Sequence, residues 1–417
     1  MTARVSAYRA VEQLDRSSGF ITPLLSQLPD RETVHAHVVG MFRWRGQLDF
    51  IIEQFAGRSL RKLDESTLRV LRLALHELRY MRSAQHAVIS EWVTIATRFS
   101  QRSTGLVNAV LRRATRENPD TILPPGDSAA ALAVRYSHPE WMIQRWIRNF
   151  GIEEARAILV QNQMESSPDI FVDINRGTME EVEQFLATQA IVFERSSLVP
   201  SMLRIKGSTS PLAALIAAGK VHPLDEGSAA VAFSVPAATT IIDLAAAPGG
   251  KSLLLASRGM TVISNDISFG RTALMKKILT RGSRPARVVT SDGTIPSFRM
   301  TEGVLLDAPC SATGTLRKNP EVKWRLQEEE LPAFSNVQKT LLRKALDLSE
   351  RFCVYSTCSL EPEENDEVIE EVLSGNADFT VSTRFEPSSM PALRGSRLFF
   401  SPAGGTDGFF VHLLERK

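Results

Sequence analysis

The chain has 417 residues, 43% of them hydrophobic and 23% charged, with a formal net charge of +2. That is ordinary for a globular protein and too long for one domain, so two or three domains, each with its own core, are expected. Three cysteines exclude a disulfide framework and suit a reducing compartment. No apolar run approaches the ~20 residues that span a bilayer, and MTARVSAYRAVEQL lacks the apolar stretch of a signal peptide. The expectation is a soluble, cytoplasmic, monomeric protein with no membrane partner and no metal site.

The first part reads as a helical bundle. Val5, Tyr8, Val11 and Leu14 recur at helical spacing, as do Leu68, Leu71, Leu75 and Leu78 after DES. Ile89, Trp92, Val93, Ala96 and Phe99 mark a third helix, and Leu106, Ala109, Val110 and Ala114 a fourth, with Arg112, Arg113 and Arg116 off its apolar face. Residues 1–118 carry 18 Lys and Arg against 11 Asp and Glu, a local excess of +7. Such an excess suits an anionic partner such as RNA, or a solvated basic face with no ligand.

NPDTILPPGD, with Pro119, Pro124 and Pro125, interrupts the helical pattern and predicts a boundary, which divides the chain into 1–122, 123–225 and 226–417. The middle part predicts a helix from Pro139 to Phe150 and then a small α+β unit: strand IFVDIN, a helix over Glu180 to Thr188, and strands AIVFE and MLRIK. From Thr239 the pattern becomes strand–loop–helix. TTIIDLA, TVISND, ARVVTSD, GVLLDAP and FCVYSTC read as buried parallel strands. Their carboxyl ends carry Asp243, Asp266, Asp292, Asp307 and Cys358, and open α/β sheets bind ligands at that edge.

Three motifs carry chemistry. DLAAAPGGKS (243–252) joins a strand to a helix through small residues that let the backbone approach a ligand. It also fits a relaxed phosphate-binding loop, Ala245-x4-Gly250-Lys251-Ser252, with VLLD as a second nucleotide-binding strand. Pro248, which supplies no N–H, argues against wrapping phosphates, and Asp266 at the end of the next strand favours a nucleoside cofactor. DAPCSATGT (307–315) sets Cys310 beside Asp307 in a polar loop. YSTCSLEPEEN (355–365) sets Cys358 at a strand end before an acidic helix start, where a nearby cation such as Lys251 would make the thiol more nucleophilic. Cys353 reads as a core residue.

AAAPGGKS, LLDAPCSATGTLRKNPEVKW and VYSTCSLEPEEN resemble the cofactor, catalytic-loop and nucleophile motifs of the RsmB/Sun family of RNA cytosine-5 methyltransferases. LDEGSAAVA (224–232) and GTDGFFVHLL (405–414) resemble that family's flanking segments. LRLALHELRYM, ISEWVTIATRF and GLVNAVLRR resemble a NusB-like RNA-binding domain. Two departures stand out: Ala245 where the family usually has Cys, and NPEVKW in place of a sequence containing His-Pro-Asp.

The resemblance implies a multidomain fold: an all-α NusB-like bundle, a small α+β (RRM-like) subdomain and an α/β Rossmann-like methyltransferase domain. It implies methyl transfer from S-adenosylmethionine to carbon 5 of a cytosine in small-subunit ribosomal RNA before full assembly. Cys358 would be the covalent nucleophile, Cys310 would assist elimination, Asp307 would hold the base and Lys251 would support the carboxylate or the thiolate. Ala245, Ala246, Ala247, Pro248, Gly249, Gly250 and Lys251, with Asp266, Asp292 and Asp307, would hold the cofactor. The alternatives are another RNA such as tRNA, a P-loop NTPase, or a non-catalytic RNA-binding factor. The NTPase reading explains 245–252 but neither Cys310 nor Cys358.

Overall fold

The computed structural model describes residues 2–16, 21–25, 30–207, 209–284, 287–296, 298–385, 393–394 and 397–417. Contacts divide the chain into two compact units, one of residues 1–164 with 316–328 and one of 165–315 with 329–417. The Pro-rich stretch around Pro119 therefore lies inside the first unit, which also contains the helix Glu140–Phe150.

The first unit is helical, and the four helices expected from apolar spacing are Ala3–Leu14, Glu65–Tyr80, Gln85–Phe99 and Thr104–Arg116. Asp64 starts the second by accepting from the N–H of Thr67 at 2.8 Å. The longest helix, Arg31–Ala56, was not foreseen. It buries Val34, Val38, Phe42, Leu48, Ile51, Ile52 and Phe55, but His37, Arg43 and Gln47 are buried among them and blur the apolar stripe. Segment 316–328 belongs to this unit: Lys323 Nζ donates to the carbonyl of Arg43 at 2.8 Å, and Trp324 Nε1 to that of Phe42 at 2.6 Å. Burial pushes the Lys323 ammonium well below its usual value.

Several arginines of this unit are already paired. Arg4 bonds Glu77, Arg69 bonds Asp15, Arg72 bonds Asp49 and Arg79 bonds Asp120. Arg113, one of the three arginines expected on a free basic face, pairs with Glu117 and lies over Phe55.

The second unit holds two sheets. The smaller is antiparallel, with β1 (Asp169–Val172), β2 (Val192–Arg195), β3 (Met202–Lys206) and β4 (Val221–Pro223) in the order β2-β3-β1-β4. With the helix Met179–Thr188 between β1 and β2, this is a ferredoxin-like arrangement, which agrees with the small α+β expectation. The larger sheet has nine strands: β5 (Thr240–Asp243), β6 (Thr261–Asp266), β7 (Arg287–Thr290), β8 (Thr301–Asp307), β9 (Ser349–Thr357), β10 (Phe379–Ser382), β11 (Leu393–Arg394), β12 (Arg397–Phe400) and β13 (Phe409–Arg416). Its path is β11-β12-β13-β9-β8-β5-β6-β7, with β10 on β13. From β9 to β7 the strands are parallel, and β13 returns antiparallel to β9.

The parallel strands are covered on both faces, which is why they read as continuous apolar runs. Along β8, Leu305 faces a core with Leu253, Leu254, Met275 and Leu279, while Val304 and Leu306 face Leu341, Leu342, Leu346 and Ile369. Cys353 belongs to this second core, and its thiol is pushed up to about 12 by burial. Among the described residues, no helix is long and apolar enough to cross a membrane.

Candidate active site

The topology brings the strand-end residues to one edge. In the sheet order β9-β8-β5-β6-β7, the carboxyl ends present Cys358, Asp307, Asp243, Asp266 and Asp292, the first and last just beyond their strands. Neighbouring strands are ~4.8 Å apart, so this is one continuous row. Asn265 ties three of the ends together. Its amide donates to the carbonyls of Leu244 and Ser291 at 3.0 and 3.1 Å, and its side-chain oxygen accepts from Ser291 Oγ at 2.7 Å.

Between β5 and the helix Gly250–Ser257 runs the turn 244–249. The Ala246 N–H donates to the Asn265 carbonyl at 2.7 Å, the Ala247–Pro248 bond is cis, and Pro248 is exposed. Ala245 and Ala247 are half-buried. Gly249 has φ 107°, a left-handed conformation suited to glycine, and a Cβ there would sit 2.8 Å from Met275 Cγ. Lys251 does not reach out as a phosphate-binding lysine would. Its Nζ lies 2.7 Å from Asp307 Oδ2 and donates to Ser228 Oγ at 2.7 Å, and it stands over the Phe409 ring. Burial lowers its pKa, but Asp307, Cys358 and Asp243 outweigh that and the net shift is upward. The other Asp307 oxygen accepts from Ser356 Oγ at 2.8 Å.

The two motif cysteines meet. Cys310 Sγ and Cys358 Sγ are 3.2 Å apart, both half-buried, and both are free thiols. Donation of its S–H to Cys358 and then burial push the Cys310 thiol well above its usual value, with the Glu364 carboxylate adding to the effect. Glu364 is fully buried and clamps both loops. It accepts from the Ser311 N–H at 2.9 Å, from Ser311 Oγ, from Ser359 Oγ at 2.5 Å and from Gln338 Nε2 at 2.8 Å. Ser311 follows Cys310 and Ser359 follows Cys358. The Gly314 N–H donates to the Cys358 carbonyl at 2.8 Å, and a Cβ on Gly314 would fall 2.4 Å from the Gly408 carbonyl oxygen.

The residues expected to bind a nucleoside line the other half of the row. Asp266 Oδ1 takes the Ser268 N–H at 2.8 Å and Arg271 Nε at 2.9 Å, while Oδ2 has no hydrogen bond among the described residues. Ile267, next in sequence, is 61% exposed, and Ile295 is 76% exposed. Asp292 accepts from the N–H and hydroxyl of Thr294, which lower its pKa. Asp243 accepts from Ser252 Oγ at 2.6 Å, but its Oδ1 is buried without a partner, and burial pushes its carboxyl up to about 7. An orphaned carboxylate oxygen, a second carboxylate with a free oxygen and exposed apolar side chains fit a nucleoside with a cationic tail. Among the described residues no cluster of three or more His, Cys, Asp or Glu could hold a metal.

Sequence reasoning missed Ser228, Glu364, Gln338 and Phe409. Ser228, Glu364 and Phe409 lay inside quoted motifs, but only the fold shows what they touch. Gln338, on the helix Leu331–Asp347, carried no signal.

A Rossmann-like sheet with a small-residue turn and a row of strand-end carboxylates defines the class of S-adenosylmethionine-dependent methyltransferases. Family models agree along the chain: NusB family over residues 1–116, the RsmF/B-like ferredoxin-like domain over 138–210, and 16S rRNA methyltransferase RsmB/F over 231–415. The ribosomal RNA small subunit methyltransferase B of Pasteurella multocida is 30% identical, over 90% of this chain and 86% of that protein. That of Sodalis glossinidius is 28% identical, over 98% and 96%. The solved structure of PH0851 superposes with a TM-score of 0.80 at 23% identity, covering 100% of this chain and 99% of that one, a likeness of fold. The chain belongs to the RsmB/F family of small-subunit ribosomal RNA methyltransferases.

Proposed function

We propose that this protein methylates carbon 5 of a cytosine in small-subunit ribosomal RNA through a covalent bond between Cys358 and the base. The observation that carries the reading is the thiol pair, 3.2 Å apart, beside the Lys251–Asp307 ion pair. Carbon 5 of cytosine is too weak a nucleophile to take a methyl group from a sulfonium. A thiolate adding to carbon 6 makes carbon 5 electron-rich, which splits one hard step into easier ones.

Charge divides the roles of the thiols. Two thiolates in contact repel, so at most one is ionised. Lys251 faces Cys358, whereas Glu364 faces Cys310 and adds to the effects that keep its proton on. Cys358 Sγ bonds to carbon 6 as nitrogen 3 takes a proton from solvent, and that N–H then donates to Asp307, held by Lys251 and Ser356; the displaced electron pair makes carbon 5 nucleophilic. S-adenosylmethionine, when bound, supplies the methyl group. After the methyl group joins carbon 5, the proton there passes to a water molecule that Cys310 would position, and nitrogen 3 gives its proton back to solvent. The carbon–sulfur bond then breaks and returns its electron pair to Cys358. Asp266 Oδ2 would take the cofactor ribose, Asp292 the adenine, and the 245–250 turn with Asp243 the amino-acid tail.

The base must leave its stack to reach this row, which favours an unpaired nucleotide in RNA not yet enclosed in the subunit. The expected setting is a monomer in the cytoplasm. Incubation of unmodified 16S ribosomal RNA transcript with the protein and S-adenosylmethionine, followed by bisulfite mapping, should show 5-methylcytosine at a defined position. Methyl groups on uracil, purine or ribose would overturn the cytosine reading, and modification of tRNA in place of the transcript would move the substrate.

A further inference from the structure

A cluster of unpaired positive charge lies outside the bundle expected to carry the basic face. Between residues 267 and 291 the sequence has six Lys and Arg and no Asp or Glu. This stretch forms the helix Phe269–Leu279, the turn after it and the edge strand β7. Lys276, Lys277, Arg281 and Arg287 are exposed, and none makes an ion pair among the described residues. Residues 119–417 as a whole carry a net charge of −5, so this face stands against its background.

The same face exposes apolar surface and is concave. Phe269 is 79% exposed and Leu274 is 53% exposed. A groove of about 690 Å³ runs between the helix and β7, lined by Phe269, Thr272, Lys276, Arg284, Thr290 and Arg176 from the ferredoxin-like part. A helix that merely solvates itself sets acids three or four residues from its bases. Here Lys276 and Lys277 are adjacent, with no acid within a turn to relieve them.

We propose that this face is an RNA-binding surface that holds a single-stranded segment flanking the target cytosine. Phosphates lie against Lys276 and Arg284 in the groove and against Lys277, Arg281 and Arg287 next to it in the chain, and one base stacks on Phe269. Basic side chains along a groove with an exposed aromatic ring are the elements of single-strand binding, where the ring accepts any base. β7 lies four strands from β9, ~19 Å at ~4.8 Å per strand, which is about six nucleotides at a ~3.4 Å rise. One strand of RNA can therefore occupy the groove and the thiol pair together. The inference rests on the reading of the chain as an RNA methyltransferase, but binding tests it separately from methyl transfer.

The experiment uses the full-length protein, unmodified 16S ribosomal RNA transcript and fluorescence anisotropy between 50 and 200 mM salt. Replacing both Lys276 and Lys277 by Ala should lower the slope of log affinity against log salt by about 1.4, two phosphates at ~0.7 each. The KM for RNA should rise about tenfold, with kcat at saturating RNA and the affinity for S-adenosylhomocysteine unchanged. Phe269→Ala should weaken binding roughly five- to a hundredfold with the salt slope unchanged. An unchanged slope and KM in the double variant overturns the proposal, as does a matching loss of S-adenosylhomocysteine affinity, which would mean a misfolded helix. A wild-type protein that binds the transcript with the expected slope but transfers no methyl group would refute the catalytic reading and leave this surface standing.

Discussion

Glu364 offers the most exacting test of how the site is held. Its carboxylate is fully buried and joins the Cys310 loop to the Cys358 loop through Ser311 and Ser359, with Gln338 as a fourth donor. Glu364→Ala removes every acceptor at once. The two serine hydroxyls, 3.0 Å apart, can turn to each other, but the Ser311 N–H cannot move and is left unpaired. An orphaned buried N–H costs about 1–3 kcal/mol, and each lost charge-assisted bond about as much again, so the variant should lose roughly 3–6 kcal/mol. Glu364→Gln differs. Its oxygen can keep the Ser311 N–H and Gln338, and its NH₂ can face the two hydroxyls, which rotate to accept. That exchange should cost only about 1–2 kcal/mol. Thermal unfolding and single-turnover methyl transfer should both rank wild type above Gln and Gln far above Ala. An Ala variant as stable and as active as wild type would show that the loops hold their places without the clamp.

Two further predictions concern the carboxylates. Asp266→Ala should weaken S-adenosylhomocysteine binding about ten- to a hundredfold in calorimetry, because it removes charge-assisted hydrogen bonds worth about 1.5–3 kcal/mol each; unchanged affinity would move the ribose site elsewhere. Asp243, with its carboxyl raised to about 7 by burial, binds more protons in the folded than in the unfolded chain above pH ~4, so its contribution to stability is lost as pH rises to 7. Asp243→Asn should therefore gain in melting temperature relative to wild type across that window without ligand and level off above pH 7. A difference independent of pH would mean that Asp243 is ionised throughout.

The catalytic half of the fold was legible because buried parallel strands announce themselves as short apolar runs, and each ended on a residue of the site. The sequence also paired Cys310 with Cys358 through their motifs, and the sheet order β8-β9 is what puts the two thiols in contact. It could not reveal the partners of Lys251, because Ser228 and Phe409 lie 23 residues before it and 158 after it in the chain. The helix Arg31–Ala56 was hidden because its buried face includes His37, Arg43 and Gln47; Arg43 donates to the Arg317 carbonyl and Gln47 to that of Arg135, tertiary contacts that no periodicity records. Charge counting placed the positive face in residues 1–118, yet it cannot see pairing. Arg4, Arg69, Arg72 and Arg79 are bound to acids there, while a further unpaired cluster sits on the helix Phe269–Leu279.

The central claim is that the two thiols have different tasks, and a denaturing gel with labelled RNA and S-adenosylmethionine addresses it directly. Cys358→Ala removes the nucleophile, so neither a protein–RNA adduct nor methylated product should form. Cys310→Ala leaves addition and methyl transfer intact but slows elimination, so the adduct should accumulate and survive denaturation. The reverse pattern would exchange the two roles. Methylation by Cys358→Ala at the wild-type rate, with no adduct from either variant, would contradict covalent catalysis by this pair.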